Sequence, residues 1–385
     1  MKLDILVNAT TLTVGGGIQV GLNVIIQLAL LRSAKFKFHF CVSDEIFQQI
    51  PEEIISTNFF LVTKRSPARV FTGALSRNQI KNFAAERKID IVYSLGFPSY
   101  ITFSQKEIGR YTNPWEFMDT SLAQPLIPVY QKPTLFLKSI YRRYWAKKAT
   151  WIETQTSLAK SKIVQKLGFN LDKVFVVPNS INPVYLNRNI TKLKSAANFT
   201  IFCLAADHPH KNLRSIPQVC SQLLKLSPDL NPQFLLTLPF ESKTWRRISK
   251  AAKGMGLENY IKNLGVLNVV NCKEVYLRSD LVFLPTLLEV SSATYLEAMV
   301  LGVPILTTDT DFSREACLDY AVYFRPHSHY DAAFEISNIF KSLHAVKLKC
   351  ERHPIRAKLF QQQNENKSIM ISMLEKITTS EISNK

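Results

Sequence analysis

The chain has 385 residues, of which 46% are hydrophobic and 20% charged. This length and balance exclude wholesale disorder and predict two to three domains, with ample apolar material for two cores. Lys and Arg number 48 against 30 Asp and Glu, a formal charge of +18, which favours an anionic partner: nucleic acid, a phosphorylated small molecule or an anionic membrane face.

Six cysteines (Cys41, Cys203, Cys220, Cys272, Cys317 and Cys350) stand far apart in sequence. No pair has zinc-site or redox-motif spacing, so no metal is expected, and the thiols read as small core hydrophobes of a reduced, cytoplasmic protein. The early Asp4 and the Gly15–Gly17 run do not suit a signal peptide. The apolar stretch from Val20 to Leu31 is interrupted by Asn23 and Gln27 and is too short to span a bilayer.

In chain order, Leu3–Val7 reads as a short buried strand, followed by Gly15–Gly17 and a helix with Ile18, Leu22, Ile25, Ile26 and Ala29 at helical spacing. Strand, glycine loop and helix open a nucleotide-binding type of fold. Further strands are expected at Phe36–Val42, Phe59–Thr63, Asp90–Leu95 and Gly109–Thr112, with a helix over Ala74–Lys88. Lys132–Lys148 is a basic, aromatic helix, and Thr150–Glu153, a helix over Thr156–Leu167 and Lys173–Val177 complete the first half.

The polar stretch from Ile190 to Ala197 reads as the domain linker. The alternation restarts at Phe199–Leu204. A helix over Asn212–Leu226 should be kinked or delayed by Pro217. Phe234–Leu238, Tyr260–Leu264, Leu281–Leu284, Val303–Thr307 and Val322–Phe324 are short strands, with helices over Lys243–Met255 and Tyr330–Leu343. Such alternation predicts an α/β fold with parallel sheets covered on both faces. The expected domains are 1–185, 186–360 and a tail, 361–385, that packs back on the body as a helix or stays partly loose.

The richest segment runs from Leu284 to Met299 and on to Gly302-Val303-Pro304. Glu289 lies past a strand's carboxyl end, Ser291 or Ser292 can cap the next helix, and Glu297 falls about one and a half turns inside it. Free N–H groups of Ser292, Ala293 and Thr294 suit a phosphate, and a carboxylate accepts hydrogen bonds from ribose or sugar hydroxyls.

This segment resembles the Glu-(seven residues)-Glu signature of retaining glycosyltransferases with the two-domain GT-B architecture, in particular glycosyltransferase family 4. Phe175–Ser180, His210-Lys211-Asn212-Leu213 and Gly15–Gly17 match other elements of that family in the expected order. The resemblance implies two Rossmann-like domains with parallel sheets facing across a cleft. It implies transfer of a sugar from a nucleotide-sugar donor to a saccharide or lipid-linked saccharide acceptor, in surface-polysaccharide biosynthesis and without a metal or other cofactor. Glu297 would bind the ribose, Glu289 would lie beside the transferred sugar, and Lys211 would hold the donor diphosphate, with Gly16 and Gly17 approaching it.

The chain also departs from the pattern. Val290 and Ser292 replace the usual glycines after the first Glu, and no Arg precedes Lys211 in Leu204–His208. Lys243 and Arg247 are candidates to make up that charge. The N-domain histidine expected near the donor sugar is absent; Asn113 stands at the matching segment, and His39 lies inside a strand. Three other classes compete. A dehydrogenase should show Gly-x-Gly-x-x-Gly after the first strand, which Gly15-Gly16-Gly17-Ile18-Gln19-Val20-Gly21 fits poorly. A two-domain sugar-nucleotide epimerase or hydrolase would turn over donor without acceptor. A basic nucleic-acid-binding module is disfavoured by the spread of the lysines and the lack of a compact recognition motif.

The Lys132–Lys148 segment carries an expectation of its own. As a helix it places Leu137, Ile140, Tyr141, Tyr144 and Trp145 on one face, flanked by Lys138, Arg142 and Arg143. That face suits the anionic, cytoplasmic side of a membrane, and the alternative is packing on the domain's own sheet.

Overall fold

The computed structural model describes residues 2–13, 15–186 and 198–382. The linker expected between Ile190 and Ala197 lies outside the described residues. Two parallel sheets dominate. The first has seven strands in the order β3-β2-β1-β4-β5-β6-β7: β1 Leu3–Ala9, β2 Phe36–Ser43, β3 Phe60–Thr63, β4 Ile91–Ser94, β5 Lys106–Arg110, β6 Trp151–Thr154 and β7 Val174–Val176. The second has six in the order β10-β9-β8-β11-β12-β13: β8 Phe199–Cys203, β9 Pro232–Leu236, β10 Ile261–Asn263, β11 Leu281–Leu284, β12 Ile305–Thr308 and β13 Val322–Phe324. Every strand pair is parallel.

Both sheets are doubly wound, with strand order reversing between β1 and β4 and between β8 and β11. The strands are short and apolar because helices cover both faces. In β1, Ile5, Leu6 and Val7 are fully buried, as are Leu281, Val282 and Phe283 in β11. Cores form on this alternation: Ile5, Val7, Phe40, Tyr93 and Ile108 meet in the first sheet, and Ile201, Phe234, Phe283, Leu306 and Ile336 in the second.

By contact the chain divides into two units, Met1–Met118 with Val129–Ser180 and Glu365–Lys385, and Asp119–Pro128 with Ile181–Asn364. The pieces that break the simple sequence division have visible causes. Met370, Met373, Leu374 and Ile377 of the long helix Pro354–Ile382 join the first unit's core. The ring of His327 bonds the Leu122 carbonyl at 3.0 Å, within the second unit. Pro217 delays the helix as its fixed φ requires: a 3-10 turn over Leu213–Ser215 precedes the α-helix Ile216–Leu226, which carries Pro217 in its first turn.

All six cysteines are buried free thiols. Burial raises each thiol pKa, to about 12 for Cys220 and Cys272 and about 11 for Cys350, so they behave as core side chains. His39 is buried in β2, its Nε2 2.6 Å from Asp4 Oδ1 on the neighbouring β1, and serves the sheet.

Candidate active site

In the second unit, the loops after β8 and β11 leave the carboxyl ends of the two strands that flank the reversal of strand order, where open α/β sheets bind ligands. The loop after β8 closes with a 3-10 turn, Pro209–Lys211, and Asn212 in the left-handed region at φ 52°. Asn tolerates that conformation better than most residues. The His210 carbonyl accepts a hydrogen bond from Leu287 N at 2.8 Å, which stitches the two loops together. Across that seam Lys211 Nζ donates to Glu289 Oε1, and Thr286 Oγ1 donates to the same oxygen at 3.3 Å. Both charged side chains are largely withdrawn from water, at 16% and 11% exposure.

The helix Ala293–Leu301 follows, with Ser292 at its N-cap. The Ser292 side chain makes no capping hydrogen bond, so it does not compete with an incoming anion for the first-turn N–H groups of Ala293 and Thr294. Gly302 ends the helix at φ 74°. Glu297 lies on this helix, and Tyr276 Oη donates to its Oε2 at 2.8 Å. Tyr185 packs edge-on to Tyr276, with ring centroids 6.0 Å apart. Burial pushes the Glu297 carboxyl up to about 7, against the Tyr276 hydrogen bond that favours its charge.

Two imidazoles belong to the same loop as Lys211. His208 and His210 stack with centroids 5.3 Å apart. Burial lowers both pKa values, His210 to about 4, and the charge of Lys211 lowers them further. Both rings are therefore neutral near pH 7.

Lys243 and Arg247 open the helix Lys243–Gly254, which packs on the Leu213–Ser215 turn. There Arg247 neighbours a residue that the sequence reading did not pick out, Arg214, three positions past Lys211. The Arg214 pKa is lowered by burial and by the nearby Arg247 charge, with Asp207 opposing. A small pocket beside Arg214 is lined by His208, Asn212 and Thr244. The available signal was the absence of the usual Arg before Lys211, which asks for a cation nearby.

Gly16, Gly17 and Asn113 belong to the first unit, at the carboxyl edge of its own sheet. Gly15 at φ 71° turns the chain into the helix Gly16–Ala29, a conformation that L side chains rarely adopt. Asn113 caps the short helix Pro114–Phe117, its Oδ1 accepting from Trp115 N at 3.3 Å.

Residues 187–345 match the family model described as Glycosyl transferases group 1. That span contains Lys211, Arg247, Glu289 and Glu297. Solved structures share the fold across nearly the whole chain. A glycosyltransferase from Rickettsia africae aligns with TM-score 0.71 at 13% identity, over 98% of this chain and 99% of its own. Sucrose-phosphate synthase from Thermosynechococcus elongatus aligns with TM-score 0.73 at 11% identity, over all of both chains. Anabaena Alr3699/HepE, in complex with UDP-glucose, gives TM-score 0.70 at 15% identity over 97% and 100%. These likenesses establish the two-sheet GT-B architecture for this chain. No curated protein matches it.

The basic helix is anchored differently from the sequence expectation. It spans Lys132–Ala146, and Ala146 is its one buried residue. Tyr141 turns inward and stacks on Tyr100 at 5.5 Å, and Trp145 meets the same ring edge-on at 6.2 Å. Arg142 and Arg143 do not stand free. Arg142 reaches buried Glu116 at 3.3 Å, Arg143 donates to the Glu116 carbonyl at 3.1 Å, and Ser139 Oγ donates to its carboxylate at 2.7 Å. Phe136, Leu137, Ile140 and Tyr144 remain exposed. The expected single face is thus split, because Tyr141 and Trp145 pack on Tyr100, and the flanking Arg142 and Arg143 are taken up by buried Glu116. Among the described residues, no helix is long and apolar enough to cross a membrane.

Proposed function

We propose that this chain is a retaining glycosyltransferase that moves a sugar from a nucleotide-sugar donor to a saccharide or lipid-linked saccharide acceptor, in surface-polysaccharide biosynthesis. The observation that carries the reading is the Lys211–Glu289 pair, seated at the strand-order reversal of a segment that matches a glycosyltransferase family. The UDP-glucose complex of the Anabaena neighbour supports a nucleotide-sugar donor.

In this reading the donor diphosphate sits on Lys211 and the N–H groups of Ser292, Ala293 and Thr294, and Glu297 accepts hydrogen bonds from the ribose. Glu289 faces the transferred sugar. As the bond from sugar to diphosphate breaks, negative charge grows on the leaving group, where a fixed ammonium and oriented N–H dipoles stabilise it most. Arg214, with Arg247 and Lys243, supplies the cationic charge that the family pattern places before the lysine. Gly16, Gly17 and Asn113 of the first unit remain donor-contact candidates from the family resemblance alone. No metal or further cofactor enters the reading. The enzyme would work at the cytoplasmic face of a membrane, with the exposed Phe136, Leu137, Ile140 and Tyr144 and the flanking lysines meeting anionic lipid.

A thermal-shift screen with UDP-, GDP- and ADP-sugars tests the core of this proposal. One donor class should raise the melting temperature of the wild type and fail to do so in Lys211→Ala. Donor consumption that proceeds equally with and without acceptor would favour the epimerase or hydrolase reading instead.

A further inference from the structure

The loop between β3 and the helix Ala74–Glu86 is outside everything described so far. From Glu53 to Glu86 the chain holds five cations, Lys64, Arg65, Arg69, Arg77 and Lys81, and no acidic residue between its two ends. Lys64, Arg65 and Arg69 are exposed, and their side chains have no ion-pair or hydrogen-bond partner among the described residues. Val70, Phe71 and Leu75 are exposed beside them, Phe71 at 89%.

The loop is nevertheless built. The Arg77 guanidinium donates to the carbonyls of Pro67 at 2.7 Å, Arg69 at 2.9 Å and Val70 at 2.7 Å. Gly73 N closes a turn on the Arg69 carbonyl at 3.0 Å. Gly73 itself is required, since a Cβ there would stand 2.5 Å from the Arg69 oxygen and 2.7 Å from the Ser66 oxygen. One arginine and one glycine thus fix the backbone that carries an exposed aromatic ring and two guanidinium groups with no partner among the described residues. Exposed apolar side chains and unpaired cations on a held backbone mark a binding surface.

We propose that this loop seats an acidic saccharide acceptor. Guanidinium forks bind carboxylates or phosphates in two-pronged geometry, which a fixed backbone favours, and the open face of Phe71 offers the apolar side of a sugar ring a flat surface. The loop's position supports a substrate. It leaves β3 at the carboxyl edge of the sheet, the edge that also carries the Gly15–Gly17 turn after β1 and Asn113 after β5. A lipid surface or an RNA strand would use the same charges, but neither requires a built loop at the carboxyl edge of the sheet. The inference rests on the glycosyltransferase reading for the word acceptor, and on the loop alone for the saccharide.

The test is direct binding by the full chain, measured by calorimetry near 0.15 M salt, with an oligogalacturonate as acidic probe and a maltooligosaccharide as neutral one. Wild type should bind the acidic probe and not the neutral one. Phe71→Ser, which leaves the charge unchanged, and Arg65→Lys with Arg69→Lys, which keeps charge but removes the forks, should each weaken binding by about fivefold or more. Lys225→Gln with Lys341→Gln, which removes two exposed charges elsewhere, should change it less than about twofold. An equal loss in that control, absence of oligogalacturonate binding, or loop variants that weaken only anionic-liposome or RNA binding would each overturn the proposal. The donor thermal shift is read on the same samples. A shift that persists in Phe71→Ser confirms that the variant is folded. Saccharide binding without any donor shift would leave the loop's role standing and remove the transferase reading.

Discussion

Lys211 and Glu289, 78 positions apart, form an ion pair that joins the loops after β8 and β11. The pair sets opposite expectations for its two members. Lys211→Ala removes a charge-assisted contact to the donor diphosphate and leaves Glu289 poorly hydrated and unpaired. Donor affinity should fall by about 2 kcal/mol, roughly thirtyfold. Glu289→Gln frees Lys211, so nucleotide affinity should hold or rise while sugar transfer slows. Calorimetry with free nucleotide, set beside a transfer assay, separates the two. Unchanged nucleotide affinity in Lys211→Ala would remove the lysine from the donor site.

Glu297 should make nucleotide binding pH-dependent. Its folded pKa is raised to about 7 by burial, so from about pH 6 to 8 it becomes a full acceptor for ribose hydroxyls, and wild-type affinity should climb more steeply than that of Glu297→Gln. Stability runs the other way. Between the ordinary carboxylate value and about 7 the native state holds a proton that the unfolded state has released, so stability falls as pH rises through that window. The loss is on the order of 3 kcal/mol at its limit. Glu107, also raised to about 7 by burial, adds a parallel slope. The readout is therefore the difference between wild type and Glu297→Gln in denaturant midpoints at pH 5 and pH 8. Parallel curves would show that the Glu297 proton is not retained in the native state.

The parts legible in sequence were those carried by short-range pattern. Runs such as Leu281–Leu284 declare buried parallel strands, and Glu297 takes its helical place from the spacing after Ser292. What sequence could not give was side-chain partnership across the fold. Arg142 and Arg143 read as free cations because Glu116, which claims them, is more than twenty positions away. The Tyr276 hydroxyl that meets Glu297 and the Arg214 neighbourhood of Arg247 depend on helix packing that periodicity does not encode. The tail was ambiguous for the same reason: its apolar patch at Ile369–Leu374 is visible in sequence, but the residues it packs with lie in the first half of the chain.

A buried charge network gives a prediction for stability alone. Arg110 pairs with fully buried Glu153, which also accepts from Tyr93 Oη, and Arg110 donates to Asn179 Oδ1 at 2.9 Å. Asn366 Nδ2 in turn donates to the Asn179 carbonyl at 3.1 Å, tying the long C-terminal helix to this cluster. Burial raises the Glu153 pKa while the Arg110 charge opposes it. Glu153→Ala strands a guanidinium in the core and should lower unfolding stability by about 3 kcal/mol or more. Asn366→Ala loses one neutral hydrogen bond and should lower it by about 1 kcal/mol. Chemical denaturation of both variants checks the ranking, and an Asn366→Ala loss equal to that of Glu153→Ala would contradict it.

The last prediction separates membrane contact from folding in the Lys132–Ala146 helix. Arg142 and Arg143 hold the helix to Glu116, so changing them to Gln should lower thermal stability whether or not lipid is present. The exposed stripe of Phe136, Leu137, Ile140 and Tyr144 has no such structural duty. Lys132 and Lys138 beside it are exposed, and each lysine near an anionic surface adds about 1 kcal/mol. Wild type should co-sediment with vesicles containing phosphatidylglycerol, less with neutral vesicles, and less again at high salt. Phe136→Ser with Ile140→Ser should abolish pelleting while leaving the melting temperature within a few degrees of wild type, since neither side chain is buried. Lys132→Gln with Lys138→Gln should weaken pelleting only on anionic vesicles. Wild type that stays in the supernatant with anionic vesicles at low salt would remove the membrane from the proposal, and the stripe would then need another partner.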